Sequence, residues 1–371
     1  MGLKSNVYTI ILAAGYATRL SPLSNRIPKP LIDINGKTLI SRIVSNFRDA
    51  GFIKFCVIVG FKKELIKNEM SRFKDLEILI INQDKPTGMA DAIALALNGI
   101  IKKEDTITSF FITAADIIFT KEEILKMYHL YTHSDIVLSL MKSSDNKIAK
   151  GHANVKISKD SDLSKDLDDR IGLRIIDIIE KPRVHQILSE YYSLPLYLVN
   201  HKILASMNQL EVSERGEKEF QDVIRKSFSR GMIIRGIRII KPEITIKNIG
   251  NFHLTNLKDI ININRRFLSG VSINQLKGKS PNYTEPVKIK SDVIIGNEVS
   301  IGPFVIIGKY CKIGDFCELS NVIVYDKVII GKSSRLDWCI VDENVKLPEN
   351  FQAKECFITK NNKKELEIIN F

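Results

Sequence analysis

The chain lacks any long hydrophobic run: none approaches the roughly eighteen residues a membrane-spanning helix needs. Nor does it open on the basic-then-apolar pattern of a secretory signal. Asn6 stands where N-myristoylation requires serine or threonine. A protein without a membrane partner, and not exported by that route, is expected. Cysteine is scarce: the five residues, at 56, 311, 317, 339 and 356, are odd in number and form no C-x-x-C. That excludes a disulfide framework and a zinc knuckle, and it fits a reducing cytoplasm. No G-x-x-x-x-G-K-[ST] occurs, so the lysine loop of P-loop NTPases is excluded. His129 and His133 stand four apart but lack the glutamate of H-E-x-x-H and any third ligand, and so read as solvent-facing. The acidic group Asp160, Asp162, Asp166, Asp168 and Asp169 lacks the glycine and closing glutamate of an EF-hand and reads as a solvated hairpin. No lysine-arginine block with interleaved aromatics appears, nor any helix-turn-helix or RNA-recognition pattern, which argues against a nucleic-acid partner.

What is present begins with charge and length. Lysine and arginine outnumber aspartate and glutamate by 55 to 43, a net +12 that favours anionic ligands. With 371 residues, 44% of them hydrophobic, the chain is long enough for two domains with a full core in the first. Near the N-terminus, Val7 to Leu12 is apolar and β-branched, a buried strand by pattern. Ala13, Ala14 and Gly15 then allow a tight bend whose backbone N–H groups stay open to an anion. Arg19 and Lys29 add a fixed and a mobile positive charge. Such a turn suits a triphosphate.

From residue 7 to about 240, strand patterns (55 to 59, 78 to 81, 108 to 113, 136 to 140) alternate with helical ones (38 to 51, 62 to 73, 89 to 99, 121 to 132). This alternation predicts an α/β fold: a doubly wound, Rossmann-like, mostly parallel sheet with its ligand at the carboxyl ends of the strands. A different rule takes over near the C-terminus. Ile-Gly pairs stand at 295-296, 301-302, 307-308 and 313-314, followed by Leu319-Ser320 and, after a short slip, Ile330-Gly331 and Leu336-Asp337. An aliphatic residue every sixth position with a small one behind it predicts a left-handed parallel β-helix of hexapeptide repeats. The expected organisation is a first domain over 1–268, closing with a helix over 256–268, a linker over 269–286, the β-helix over 287–358, and a tail over 359–371 that frays or caps the solenoid.

From Leu12 to Leu31 the chain resembles the sugar-1-phosphate nucleotidyltransferases, or NDP-sugar pyrophosphorylases. Their opening pattern is L-A-A-G-x-G-T-R-L-x-P-L followed by P-K-P-L. One glycine of that pattern is replaced by Ala17, which stays small but disfavours positive φ, so a slightly reshaped loop is expected. The resemblance implies attack by a sugar-1-phosphate oxygen on the α-phosphorus of a nucleoside triphosphate, with pyrophosphate released and Mg²⁺ as cofactor. Two anions must meet there, so catalysis should consist of positioning and charge neutralisation.

The same resemblance assigns roles residue by residue. Arg19, Lys29 and Asp116 are catalytic; Leu12, Ala13, Ala14, Gly15, Thr18, Gln83 and Gly88 bind the nucleotide; Gly151, Glu180 and Lys181 bind the sugar phosphate. Asp116, preceded by Ala115 where the family has glycine, is the metal-binding aspartate, with capping of the helix near Lys121 as its alternative role. Asn248 takes the second metal position, as in uridylyltransferases acting on N-acetylglucosamine-1-phosphate, or else forms a turn. Met89 replaces the usual threonine, and Ser193-Leu-Pro195-Leu-Tyr197 replaces N-x-G-x-Y. Base and sugar therefore stay open among guanylyl, thymidylyl and uridylyl transfer to mannose, glucose or N-acetylglucosamine phosphate. The departures at Ala17, Ala115, Asn248 and Pro195 also admit a non-catalytic subunit that senses a nucleotide-sugar and pairs with an active paralogue. Acetyl transfer by the solenoid is disfavoured, because no histidine follows His253. Solenoids of this kind pack side by side, so a cytoplasmic homo-oligomer joined through the β-helix is expected.

Overall fold

The computed structural model describes residues 4–85, 87–104, 107–158, 172–207, 210–213, 216–239, 252–273, 276–278 and 281–371. The chain divides into two compact units. The first comprises Met1–Ala17, Ile27–Ile32 and Thr38–Ile249; the second comprises Thr18–Arg26, Asp33–Lys37 and Gly250–Phe371.

The first unit is built on a sheet of strands β1 (Val7–Ala13), β2 (Lys54–Val59), β3 (Glu77–Asn82), β4 (Ser109–Ala114), β5 (Ile136–Lys142), β6 (Ala153–Ile157), β7 (Leu173–Ile179), β8 (Tyr191–Asn200) and β9 (Ile234–Arg238), in the order β3-β2-β1-β4-β8-β5-β9-β7-β6. β1 is mostly apolar and buried along almost all its length because it lies inside a parallel sheet, between β2 and β4, with both faces covered. Helices α1 (Leu39–Asp49), α2 (Lys63–Met70), α3 (Met89–Ile101), α4 (Lys121–Tyr131) and α5 (Phe220–Ser229) complete the alternation. α1 starts where the Thr38 hydroxyl accepts from Ser41 N at 3.2 Å, and α4 starts on a capping box of Thr120 and Glu123. Asp116 therefore does not cap that helix.

The four strands β3-β2-β1-β4 are parallel, with Leu12 opposite Ala114, Ala13 opposite Val59, and Val59 opposite Asn82. This register lines up their carboxyl ends. Beyond β4 the sheet changes character: β8 runs antiparallel to both β4 and β5, and its first residues turn back to pair with β6, Tyr192 opposite Asn154. That last pairing closes β8, β5, β9, β7 and β6 into a ring. The bend falls at Pro195, where the register on β5 shifts between Ser193 and Tyr197; proline has no N–H to give a ladder and is confined to such bulges.

The second unit is a parallel β-helix. Strands repeat in register from coil to coil, Val287 on Val305, Ile295 on Ile313, Glu318 on Arg335 and Cys339 on Cys356. Valine, isoleucine, leucine and cysteine fill its interior, and burial of each large aliphatic stabilises it by about 1.5–3 kcal/mol. The small residue after each corner aliphatic has a steric cause: a Cβ on Gly314 would lie 2.6 Å from Lys332 N, and one on Gly331 would lie 2.5 Å from Glu349 N. The next coil leaves no room for a methyl group. Non-glycine residues at positive φ recur with the same spacing, at Asp292, Glu298, Phe304, Tyr310 and Phe316.

Two expected boundaries are corrected here. Residues 269–286 do not form a linker: Val271–Ile273 pairs in parallel with Val287–Ile289, Leu276–Gly278 with Val293–Ile295, and Asn282–Tyr283 with Ser300–Ile301. Gly270, at φ +59°, immediately precedes the first of these strands. The helix expected to close the first domain, α6 (Leu257–Phe267), belongs to the second unit. It is held there by Lys258 on Glu355 at 3.0 Å and by the Arg265 guanidinium over the rings of Phe304 and Trp338, at 4.1 and 4.7 Å. The tail is a cap: Leu366–Asn370 pairs antiparallel with Gln352–Lys360 and covers part of the last coil's open edge.

Candidate active site

The parallel register brings four strand ends together in the first unit. β1 runs into Ala14 and Gly15, β2 into Gly60, β3 into Gln83, and β4 into Ala115 and Asp116. Ala115 N donates to Leu12 O at 3.0 Å, and Gln83 N donates to Val59 O at 2.8 Å, so the bonding of the sheet continues into these turns. Gly60 is required: a Cβ there would lie 2.8 Å from Ala14 O and 3.0 Å from Gln83 O. The opposite holds at Gly15, which is exposed and whose Cβ would find nothing within 4 Å. Its smallness leaves open space rather than relieving a contact.

Lys29 and Asp116 meet. Lys29 Nζ donates to Asp116 Oδ2 at 2.9 Å, with both side chains about four-fifths buried. Lys29 is placed by a short turn, Lys29–Leu31, stiffened by Pro28 before it and Pro30 within it. Arg19 and Thr18 lie in a turn, Thr18–Leu20, that belongs to the second unit; both are exposed, and Arg19 has no ion-pair partner among the described residues. Ala17 just before them adopts φ +52°, a left-handed conformation that costs a non-glycine residue about 1–2 kcal/mol.

Gln83 is buried, and its side-chain Nε2 has no hydrogen-bond partner among the described residues. An unpaired buried amide costs about 1–3 kcal/mol unless a ligand completes it. Gly88, at φ +121°, precedes α3, and a Cβ there would strike the backbone of Lys218 at 2.8 Å. Lys218 O accepts from Ala90 N at 3.2 Å, and its Nζ reaches Asp91 at 3.3 Å, so a crossing segment fixes the start of this helix. Met89 opens α3 and packs on the core.

The sugar-phosphate candidates gather around the ring of strands. Glu180 and Lys181 follow β7, with their charged ends 3.4 Å apart; Glu180 is largely buried, and Lys181 is exposed at φ +42°. Left-handed backbone at a non-glycine residue is a strain that concentrates at functional sites. Gly151 ends the short helix Asn146–Lys150 and is exposed. Sequence reasoning missed a partner here: Gln221 on α5 donates to the Tyr197 hydroxyl at 3.2 Å in the interior. Burial pushes the Tyr197 phenol up, and the Glu180 carboxylate beside it pushes the same way. Tyr197 therefore keeps its proton near Glu180. Nothing local in the sequence marks Gln221, since only the fold brings α5 against β8. Asn248 and the aspartates at 160–169 lie outside the described residues. His129 and His133 are exposed, as read.

Residues 8–235 match the family model described as nucleotidyl transferase, and residues 283–366 match the one described as the GMPPB C-terminal domain. Among curated proteins, the Bifunctional protein GlmU of Methanococcus maripaludis (strain DSM 14266) is 32% identical over 91% of this chain and 74% of its own length. That of Methanocaldococcus jannaschii is 30% identical over 95% and 77%. A probable mannose-1-phosphate guanylyltransferase 3 of Oryza sativa subsp. japonica is 23% identical over 53% of this chain and 50% of its own. Among solved structures, a UDP-glucose pyrophosphorylase complexed with UDP-glucose superposes with a TM-score of 0.56 at 17% identity, covering 70% of this chain and 97% of that one. That likeness is one of fold.

Proposed function

The chain belongs to the nucleotidyl transferase family as a sugar-1-phosphate nucleotidyltransferase, and on that footing we propose how its residues divide the work and what they require. A phosphate oxygen of the sugar ester forms a bond to the α-phosphorus of the triphosphate. The bridging bond to the β-phosphate breaks, and its electron pair leaves with pyrophosphate. Backbone N–H groups around Ala13, Ala14 and Gly15 hold the polyphosphate, and Arg19 neutralises the charge that leaves. Lys29 donates to phosphate oxygens beside Asp116, while Gln83 offers its unpaired amide to the base edge. Glu180 accepts from sugar hydroxyls, and Lys181 meets the sugar phosphate.

Asp116 fits the implied Mg²⁺, being a hard oxygen donor at a strand end beside the phosphate turn. Mg²⁺ is commonly held by one or two carboxylates together with substrate phosphates and water. Among the described residues no group of three or more acidic, thiol or imidazole side chains forms a separate cage. When bound, the ion would supply charge neutralisation to the phosphates; Asn248 is proposed as its second protein ligand.

The observation that carries this reading is the Lys29–Asp116 contact of 2.9 Å at the carboxyl edge of the parallel strands. It also favours catalysis over a sensing subunit, since both charged groups are retained and already in contact. The test is a panel of nucleoside triphosphates crossed with glucose-, mannose- and N-acetylglucosamine-1-phosphate, with Mg²⁺, scored by pyrophosphate release. At least one pair should give NDP-sugar; release from none would favour the sensing subunit instead. We also propose a cytoplasmic location, and a homo-oligomer joined through the β-helix, the latter supported by Tyr310 and Phe316, both more than half exposed on the solenoid. Light scattering tests it.

A further inference from the structure

The second unit stacks one thiol on another. Cys339, on the strand Arg335–Val341, and Cys356, on the strand Gln352–Lys360, stand directly opposite each other in the parallel register of neighbouring coils. Their sulfurs lie 3.6 Å apart inside the solenoid, where both residues are buried and both thiols are free. The other thiols of this unit are placed differently: Cys311 and Cys317 donate to the backbone carbonyls of Tyr325 and Gly331, each at 3.1 Å. Paired strands hold opposite Cα atoms about 4.8 Å apart, within the roughly 4.4–6.8 Å that a disulfide spans. The two sulfurs need only close to about 2.0 Å, which side-chain rotation supplies with the backbone in place. Their contact also makes them unequal. The hydrogen bond between them draws the Cys356 thiol below its ordinary value and pushes Cys339 up, with burial adding to the latter, so Cys356 is the readier to ionise. Cys356 lies on the outermost coil of the stack, next to the antiparallel strand Leu366–Asn370. A terminal coil has a neighbour on one side and opens at lower cost than a coil inside the stack, which gives a water-sized reagent its entry.

We propose that Cys339 and Cys356 form a reversible disulfide that staples the outermost coil to its neighbour when the protein meets a peroxide. One sulfur takes an oxygen from hydrogen peroxide and becomes a sulfenic acid, with one water released. The second sulfur attacks it: the S–S bond forms, the S–O bond breaks, and the oxygen leaves with the second thiol's proton as another water. The thiols give up two electrons and the peroxide takes them. A small thiol reverses the step by exchange and is itself left as a disulfide. The bond closes a loop between two coils, and the freedom it removes from the unfolded chain stabilises the folded solenoid. None of this depends on the transfer reaction proposed above.

The experiment treats the folded full chain with hydrogen peroxide, quenches it with an alkylating reagent in denaturant, and reads thiol count and peptide map by mass spectrometry. Of the five free thiols, two should disappear together and three should remain. The peptides carrying Cys339 and Cys356 should be joined within one chain and parted again by dithiothreitol. Oxidation should raise the melting midpoint by about 5–10 °C, and reduction should return it. Neither the link nor the rise should occur in Cys339→Ser or Cys356→Ser; if these variants do not fold, the map and midpoint of the unsubstituted chain decide alone. Five free thiols in the folded protein, at a dose that exhausts those of the unfolded chain, would overturn the proposal. So would links between chains, sulfinic acid at either residue in place of the link, or a link that leaves the midpoint where it was.

Discussion

Ala17 and Gly15 stand two residues apart in the phosphate turn, and exchanging each for the other's residue type should separate strain from ligand space. Ala17 adopts φ +52°, where an L-residue crowds its own carbonyl at a cost of about 1–2 kcal/mol. Ala17→Gly removes that cost but gives the unfolded chain about 0.4–1 kcal/mol of extra freedom. The balance is a stabilisation of about 0.5–1 kcal/mol, or a rise of roughly 1–3 °C in the melting midpoint of a unit of this size. Gly15 does not adopt a positive φ, and an added Cβ would meet nothing within 4 Å. Gly15→Ala should therefore leave the fold intact and raise the midpoint slightly through the unfolded state. Its methyl group, however, would stand in the space proposed for the triphosphate. Calorimetric melting of both variants, followed by titration with Mg²⁺–nucleoside triphosphate, reads the two effects. Ala17→Gly should melt higher and bind at least as well as the parent; Gly15→Ala should melt no lower and bind at least about tenfold more weakly, a loss of about 1.4 kcal/mol. An unchanged or lower midpoint for Ala17→Gly would refute the strain argument. Parental affinity in Gly15→Ala would remove the nucleotide from this turn.

Other consequences are simpler to read. Gln83→Ala should cost little stability, because its Nε2 has no partner among the described residues, yet narrow the gap between the preferred triphosphate and the next best by about tenfold, consistent with loss of a hydrogen bond to the base; unchanged selectivity in competition assays would take base reading away from it. Gly314→Ala should destabilise the β-helix by about 1–3 kcal/mol, since the next coil's backbone must move to admit the methyl group, and a denaturant curve indistinguishable from the parent's would contradict the packing described. All five thiols are free and buried, and burial pushes Cys311 up to about 11. A small alkylating reagent at pH 8 should label none of them in the native protein and all five after unfolding.

The strands and helices around the phosphate turn were readable because each is a local pattern: β1 is a continuous apolar run, and α4 carries its own capping box. The solenoid was readable because its period comes from one repeated collision, a corner Cβ against the next coil, which imposes a small residue every sixth position. What escaped was non-local. Nothing near Tyr191 or Ala153 announces that β8 will turn back onto β6 and close a ring. The strands at Val271–Ile273, Leu276–Gly278 and Asn282–Tyr283 lack the Ile-Gly repeat, so this stretch reads as a linker. Nor does local pattern announce that Thr18–Arg26 belongs to the second unit or that Arg26 pairs with Asp342. Within the site, the composition of the turn and the candidacy of Lys29 and Asp116, which the structure brings into contact, were legible. The left-handed backbone at Ala17 was not, because it runs against that residue's preference.

The claim at the centre is that Lys29 and Asp116 form the reacting centre of a nucleotidyl transfer. Its most direct test is the rate of pyrophosphate release at saturating substrates for Lys29→Ala and Asp116→Asn, each first shown to be folded by circular dichroism. The account predicts that each falls at least about a hundredfold below the parent, the loss typical of removing one group that stabilises transition-state charge. Rates within about threefold of the parent in both variants would contradict it.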